Sequence, residues 1–151
     1  MIEVEIDEPA WSEAMPDVAA VVERAASLAL GDVEGDVVVL LADDTHVRQI
    51  NAQFRERDRP TNVLSFPATE SARPHLGDLI LAYGVCAAEA AEQDKSLADH
   101  LSHLTIHGVL HLLGHDHQID DEAETMEAEE RRLLASLGIA DPYRANEPDR
   151  T

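Results

Sequence analysis

The stretch HGVLHLLGHDH spans residues 107–117 and holds four of the chain's eight histidines. His107 and His111 are four residues apart, so on a helix their imidazoles share one face, about one turn apart. That spacing suits two ligands of one zinc ion. Gly114 breaks the helix and lets the chain fold back, so that His117 can reach the same ion. Three imidazoles leave a fourth tetrahedral position for water, which is typical of catalytic rather than structural zinc.

The residues around these histidines favour a metal site over ordinary helix positions. Leucines at 110, 112 and 113 surround the pair, and an imidazole without a ligand gains nothing in such a setting. Asp116, next to the third histidine, can hold a ligand imidazole as a hydrogen-bond acceptor. His103 continues the four-residue row, and we expect it on the surface or beside the ligands.

Position 108 bears on the kind of hydrolysis. Helical zinc peptidases carry a glutamate directly after the first histidine, where it serves as the general base. In this chain that position is Gly108, which argues against peptide hydrolysis of that type. A metallopeptidase-like zinc hydrolase stays an alternative, because a carboxylate from elsewhere in the chain could act as the base.

The whole chain has the size and composition of one globular domain. Its 151 residues are 44% hydrophobic, which is enough for a sizeable core. No apolar run approaches the roughly 20 residues of a membrane span, and the acidic N-terminus does not resemble a secretory signal. We therefore expect a cytoplasmic protein that does not contact a membrane. The single cysteine, Cys86, is expected to be a small buried apolar residue, with a catalytic thiol as the alternative.

Charge disfavours a protein that binds nucleic acid over its whole surface. The net charge is -20, and a strong negative field repels phosphates. The charges are unevenly distributed, since Arg48, Arg55, Arg57 and Arg59 lie within twelve positions. Seven acidic residues cluster between positions 120 and 130. A local basic patch at the arginines therefore stays possible, and we expect the acidic stretch to repel stray RNA.

The remaining pattern alternates strand-like and helix-like segments. Alternating or continuous apolar runs predict strands at 2–6, 36–41, 63–66 and 77–81. Apolar helical faces with start and stop signals predict helices at about 16–30, 44–54, 85–94, 96–113 and 121–137. This order predicts one α/β domain over residues 1–143, with a small four-stranded mixed sheet packed against about five helices, followed by a polar tail at 144–151.

The histidine stretch resembles the signature of the YbeY family of bacterial endoribonucleases, His-Gly-x-Leu-His-Leu-x-Gly-x-Asp-His, and every fixed position is present. Further segments resemble the family in the same order and spacing, so that the likeness covers roughly residues 40–143. They are RERDRPTNVLSFP (55–67), GDLIL (77–81), DDEAETMEAEE (120–130) and LGIADPY (137–143).

The resemblance implies one zinc ion per chain, held by His107, His111 and His117. It implies cleavage of single-stranded ribosomal RNA in maturing the 3′ end of the small-subunit RNA and in ribosome quality control. The ribosome or its small subunit, with associated proteins, would then be the partner. The family's loop arginine falls on Arg55, which we assign as catalytic together with His111. A solvated loop charge is the alternative for Arg55.

Two further points depend on the same resemblance. Position 115, where the family varies, is histidine in this chain, and His115 is a candidate proton donor. A non-enzymatic ribosome-assembly factor with a structural zinc is the second alternative function. Structural zinc sites usually have four protein ligands, often cysteines, whereas this stretch offers three histidines.

Overall fold

Four strands form one mixed sheet. A computed structural model describes residues 1–55, 61–114 and 120–142, without the side chains of residues 55 and 120–122. The sheet order is β1-β2-β4-β3, in which β1, β2 and β4 are parallel and β3 is antiparallel to β4 at one edge. This confirms the predicted α/β class and the four-stranded mixed sheet. The strands are β1 (Ile2–Ile6), β2 (Asp36–Ala42), β3 (Val63–Pro67) and β4 (His75–Ala82).

Six α-helices and one 3-10 turn (Glu70–Ala72) accompany the sheet in the described residues. Five of the helices match the predicted ones, and the five-residue α1 was not predicted because it is too short to show a helical period. The predicted tail at 144–151 lies outside the described residues. The helices are α1 (Ala10–Ala14), α2 (Val18–Leu30), α3 (Asp44–Arg55), α4 (Tyr83–Glu92), α5 (Leu97–Leu112) and α6 (Asp120–Ser136).

Helices cover both faces of the sheet. Successive side chains of a strand point to opposite faces of the sheet. Because β2 and β4 are apolar at most positions, both faces of these central strands are apolar. One face packs against α2 and α5, and the other packs against α3. The first face presents Val37, Val39, Leu41, Leu79 and Leu81, and the second presents Ala42, Ile80 and Ala82.

The two ends of α5 follow the predicted signals. The Ser96 hydroxyl accepts a hydrogen bond from the backbone N–H of Asp99 at 3.1 Å, which caps the N-terminus. The helix ends at Leu112, and Gly114 adopts a φ of 99°, a left-handed conformation that favours glycine. The chain therefore leaves the helix directly after the turn that carries His111. None of the described helices is both long and apolar enough to cross a membrane.

Candidate metal site

His107 and His111 lie side by side on α5. Their ring centroids are 4.8 Å apart, and the ring planes meet at 76°. The helix thus brings the two imidazoles to one face, one turn apart, as the spacing predicted. Their role as zinc ligands stays a prediction.

Several other predicted site residues fall outside the described part of the chain. They are His115, Asp116 and His117, and Arg57 and Arg59 of the possible basic patch lie outside it too. Arg55 is the last residue of α3, and its side chain is not described. Within residues 1–55, 61–114 and 120–142, no three His, Cys, Asp or Glu side chains are grouped so as to hold a metal ion. The described residues therefore supply two of the three predicted ligands.

Glu130, on α6, is a site residue that we did not predict. Its side chain is 0% exposed, and its Oε1 is hydrogen-bonded to Nδ1 of His107. Its Oε2 lies 3.8 Å from Nε2 of His103, whose side chain is 13% exposed. His103 is therefore beside the candidate ligands rather than on the surface. Glu130, the last residue of the acidic stretch at 120–130, therefore does not face solvent.

A signal for this burial was present in the sequence. Glu130 lies four residues after Met126 and three and four residues before Leu133 and Leu134, and all three are buried. These positions form one stripe of α6 at helical spacing. A glutamate within an otherwise apolar stripe indicates a buried carboxylate, which needs a polar partner.

The hydrogen bond with Glu130 determines which ring nitrogen of His107 carries the proton. An ionised carboxylate only accepts hydrogen bonds, so Nδ1 of the imidazole is the donor and carries the ring proton. In a neutral imidazole the lone pair is then on Nε2, the usual arrangement when a histidine binds a metal through Nε2. This donor set fits a zinc ion.

A second buried network lies at the start of α5. His100 is 3% exposed, and its Nε2 lies 2.9 Å from Oε1 of Glu89 on α4. The Asn62 side-chain amide donates to the same carboxylate oxygen at 3.0 Å. Burial lowers the pKa of His100 against the opposing effect of the Glu89 hydrogen bond. Because Asn62 directly precedes β3, the network joins the start of β3 to α4 and α5.

Cys86 matches the expectation of a buried apolar residue. It is fully buried in the core cluster between the sheet and α5. Burial raises the pKa of its thiol, and the charges of Glu89 and Asp44 raise it further. The thiol therefore stays protonated at neutral pH, which argues against the alternative of a catalytic nucleophile.

Gly108 faces the sheet, away from solvent. A Cβ atom at this position would lie 2.7 Å from Cδ2 of Leu79, so α5 packs closely on β4 only because residue 108 has no side chain. A glutamate at position 108 would have to displace the Leu79 side chain or the helix. The packing therefore supports the sequence argument against a peptidase of the helical His-Glu type.

Comparison with known proteins gives the family. A profile described as Endoribonuclease YbeY matches residues 2–138. An Endoribonuclease YbeY from Paramagnetospirillum magneticum is 52% identical over 155 residues, covering 94% of each chain. One from Maricaulis maris is 51% identical over 151 residues, covering 97% of this chain and 94% of that protein.

The fold has a counterpart among solved structures. A solution structure of a Thermotoga maritima protein covers 99% of this chain and 98% of its own, with a TM-score of 0.57 and 24% identity. This likeness supports the fold alone. The sequence comparisons carry the assignment, and they agree with the motif at residues 107–117. The chain therefore belongs to the YbeY family of endoribonucleases.

Proposed function

We propose that this chain is a zinc-dependent endoribonuclease that cleaves single-stranded RNA. Membership of the family makes it an enzyme of the endoribonuclease class, a hydrolase of phosphodiester bonds. The observation that supports the zinc is the pair of imidazoles on α5, 4.8 Å apart, with a buried carboxylate on Nδ1 of His107. Paired imidazoles, one of them oriented by a carboxylate, are typical of catalytic zinc sites.

Four residues of the chain would take part in binding the metal ion and the RNA. His107 and His111, with His117, would hold the ion. A bound zinc ion would supply Lewis-acid chemistry at the scissile phosphate. Arg55 would pair with phosphate oxygens through its guanidinium, which matches their geometry with two parallel hydrogen bonds. Arg55 is the last residue of α3, at the start of the arginine cluster formed by Arg55, Arg57 and Arg59 in the sequence.

We also propose a physiological role in the cytoplasm. The family resemblance supports maturation of the 3′ end of small-subunit ribosomal RNA and ribosome quality control. A net charge of -20 and only five aromatic residues leave the isolated chain few means of holding RNA tightly. Of these aromatics Trp11 is fully buried, whereas Phe54 is exposed. Substrate selection would then come from the small subunit and its associated proteins.

The two alternatives are less well supported. Position 108 is glycine and packs closely on Leu79, so the general base of a helical zinc peptidase is absent and would disturb this packing. A non-enzymatic assembly factor with a structural zinc does not agree with relatives named as endoribonucleases.

One assay separates the three functions. The purified protein is incubated with single-stranded RNA, duplex RNA or casein, first with a chelator and then after zinc is restored. We expect zinc-restored cleavage of single-stranded RNA alone, with the zinc-supplemented His111→Ala variant as the control for cleavage by free metal. Cleavage of casein would favour the peptidase, and the absence of any cleavage would favour the non-enzymatic factor.

A further inference from the structure

Glu130 has an unusual position for a charged residue. Among the acidic residues whose side chains the structure describes, only Glu130 is buried, with an exposure of 0%. Removing a carboxylate from water costs several kcal/mol unless hydrogen bonds and a favourable partner offset it. The apolar neighbours Met126, Leu133 and Leu134 on α6 supply neither. The contacts of the carboxylate with α5 therefore explain why a charge occupies this position.

Those contacts are directed at the imidazoles of α5. Oε1 bonds to Nδ1 of His107, and Oε2 lies 3.8 Å from Nε2 of His103. Each oxygen thus faces a different histidine, which limits rotation of the carboxylate. The hydrogen bond in turn limits rotation of the His107 ring about its χ2 angle. Carboxylate and imidazole therefore hold each other in one orientation.

We infer that Glu130 is a positioning residue for zinc, which acts through His107. Its carboxylate keeps the proton of His107 on Nδ1, so that Nε2 is the ligand atom. It also makes α6 part of the metal site, because α6 carries no predicted ligand but its Glu130 orients the ligand His107. The inference rests on the proposed function in one respect, the binding of zinc by His107.

The ring tautomer distinguishes positioning from a purely structural role. Loss of packing alone would lower the stability without moving the proton between the two ring nitrogens. Nitrogen NMR of the full-length, metal-free protein at neutral pH reports which ring nitrogen of His107 carries the proton. We expect Nδ1–H in the wild type and in Glu130→Gln, because a glutamine oxygen still accepts this bond. In Glu130→Ala we expect a shift toward Nε2–H, the commoner form in water.

Zinc affinity is the second readout, measured on the full-length protein by competition with a chelator. Glu130→Ala should weaken binding by roughly 10- to 100-fold, the usual effect of losing the partner of a ligand histidine. Glu130→Gln should weaken it less, because the amide keeps the acceptor and loses the charge. The control is Glu129→Gln on the same helix, where a 33% exposed side chain pairs with Arg132, and it should bind zinc like the wild type.

The outcomes separate this inference from the proposed function. If the wild type binds zinc and Glu130→Ala binds it equally well, the positioning role is wrong and the zinc site stands. A wild-type His107 protonated on Nε2 would also overturn the inference. If the wild type binds no zinc, the proposed function itself fails. If Glu130→Ala does not fold, Glu130→Gln decides: an affinity equal to that of Glu129→Gln would overturn the inference.

Discussion

Nε2 of His100 lies 2.9 Å from Oε1 of Glu89, and this hydrogen bond joins the start of α5 to α4. His100 is 3% exposed, and Glu89 also accepts a hydrogen bond from Asn62 at 3.0 Å. The same carboxylate thus holds two parts of the chain, the helix that carries His107 and His111 and the start of β3.

This pair predicts a loss of stability in acid. Burial lowers the pKa of His100 below its ordinary value of about 6.5, so the folded protein binds fewer protons than the unfolded chain just below that pH. The free energy of unfolding should therefore fall as the pH drops below about 6.5, until the lowered pKa is passed. Urea unfolding at pH 7.5 and 5.5, with chelator present, should show a smaller fall for His100→Gln than for the wild type. The partly exposed His46→Gln is the control, and equal falls in all three proteins would contradict the prediction.

The packing of Gly108 against Leu79 gives a second prediction. Gly108→Glu should destabilise the fold by ~3 kcal/mol or more, because it combines overpacking with a buried charge. Gly108→Ala should cost less, since the better helix propensity of alanine, about 1 kcal/mol, offsets part of the displacement of Leu79. Urea unfolding midpoints measure both changes. A Gly108→Glu protein as stable as the wild type would mean that α5 can move away from β4.

Arg55 should matter for cleavage and not for metal binding. Arg55→Glu should lower kcat/KM on single-stranded RNA by roughly 30- to 1,000-fold, the loss expected when one charged donor to a transition state is removed. Zinc content should not change, because guanidinium is not a ligand. Arg24→Glu makes the same charge change at an exposed position of α2 and should retain activity. If both variants cleave RNA equally, Arg55 is an ordinary solvated charge.

The sequence predicted much of the fold because its local signals agree with one another. Glycines and proline mark helix ends, and the continuous apolar run of β2 predicted a central strand. Two adjacent aspartates, Asp43 and Asp44, lie at the start of α3, and either can cap a helix. Asp43 accepts from the backbone N–H of His46 at 2.7 Å, while Asp44 accepts from that of Val85 on α4 at 3.1 Å. Such long-range contacts have no signal in local sequence.

The part of the candidate site that lies on one helix was predicted from the sequence. The part that depends on the packing of two helices was not. The spacing of His107 and His111 is a property of α5 alone. The contact of Glu130 with His107 joins residues 23 positions apart, and it depends on how α6 packs against α5. Glu130 also belongs to a run of acidic residues, so its position within the apolar stripe of α6 was not recognised from the sequence. Asp116, predicted for the same supporting role, lies outside the described residues and stays a prediction.

The net charge of -20 predicts weak binding of naked RNA. The clustered arginines are Arg55, Arg57 and Arg59, with Arg48 nearby in the sequence. We therefore expect three or four phosphate contacts at most. For single strands this corresponds to a slope of log affinity against log salt of about -2 to -3. Fluorescence titrations over a range of salt concentrations measure the slope, and binding should tighten on small ribosomal subunits. A slope of about -6 or steeper would correspond to eight or more contacts and refute the prediction.

The most direct test of the central claim is the zinc content of purified protein, measured by mass spectrometry in wild type and His107→Ala/His111→Ala. We predict about one zinc per chain in the wild type and almost none in the double variant, because two of three ligands are lost. The matched control is His46→Ala/His75→Ala, which removes two partly exposed histidines outside α5 and should keep its zinc. Stoichiometric zinc in His107→Ala/His111→Ala would contradict the account, because the metal would then lie elsewhere.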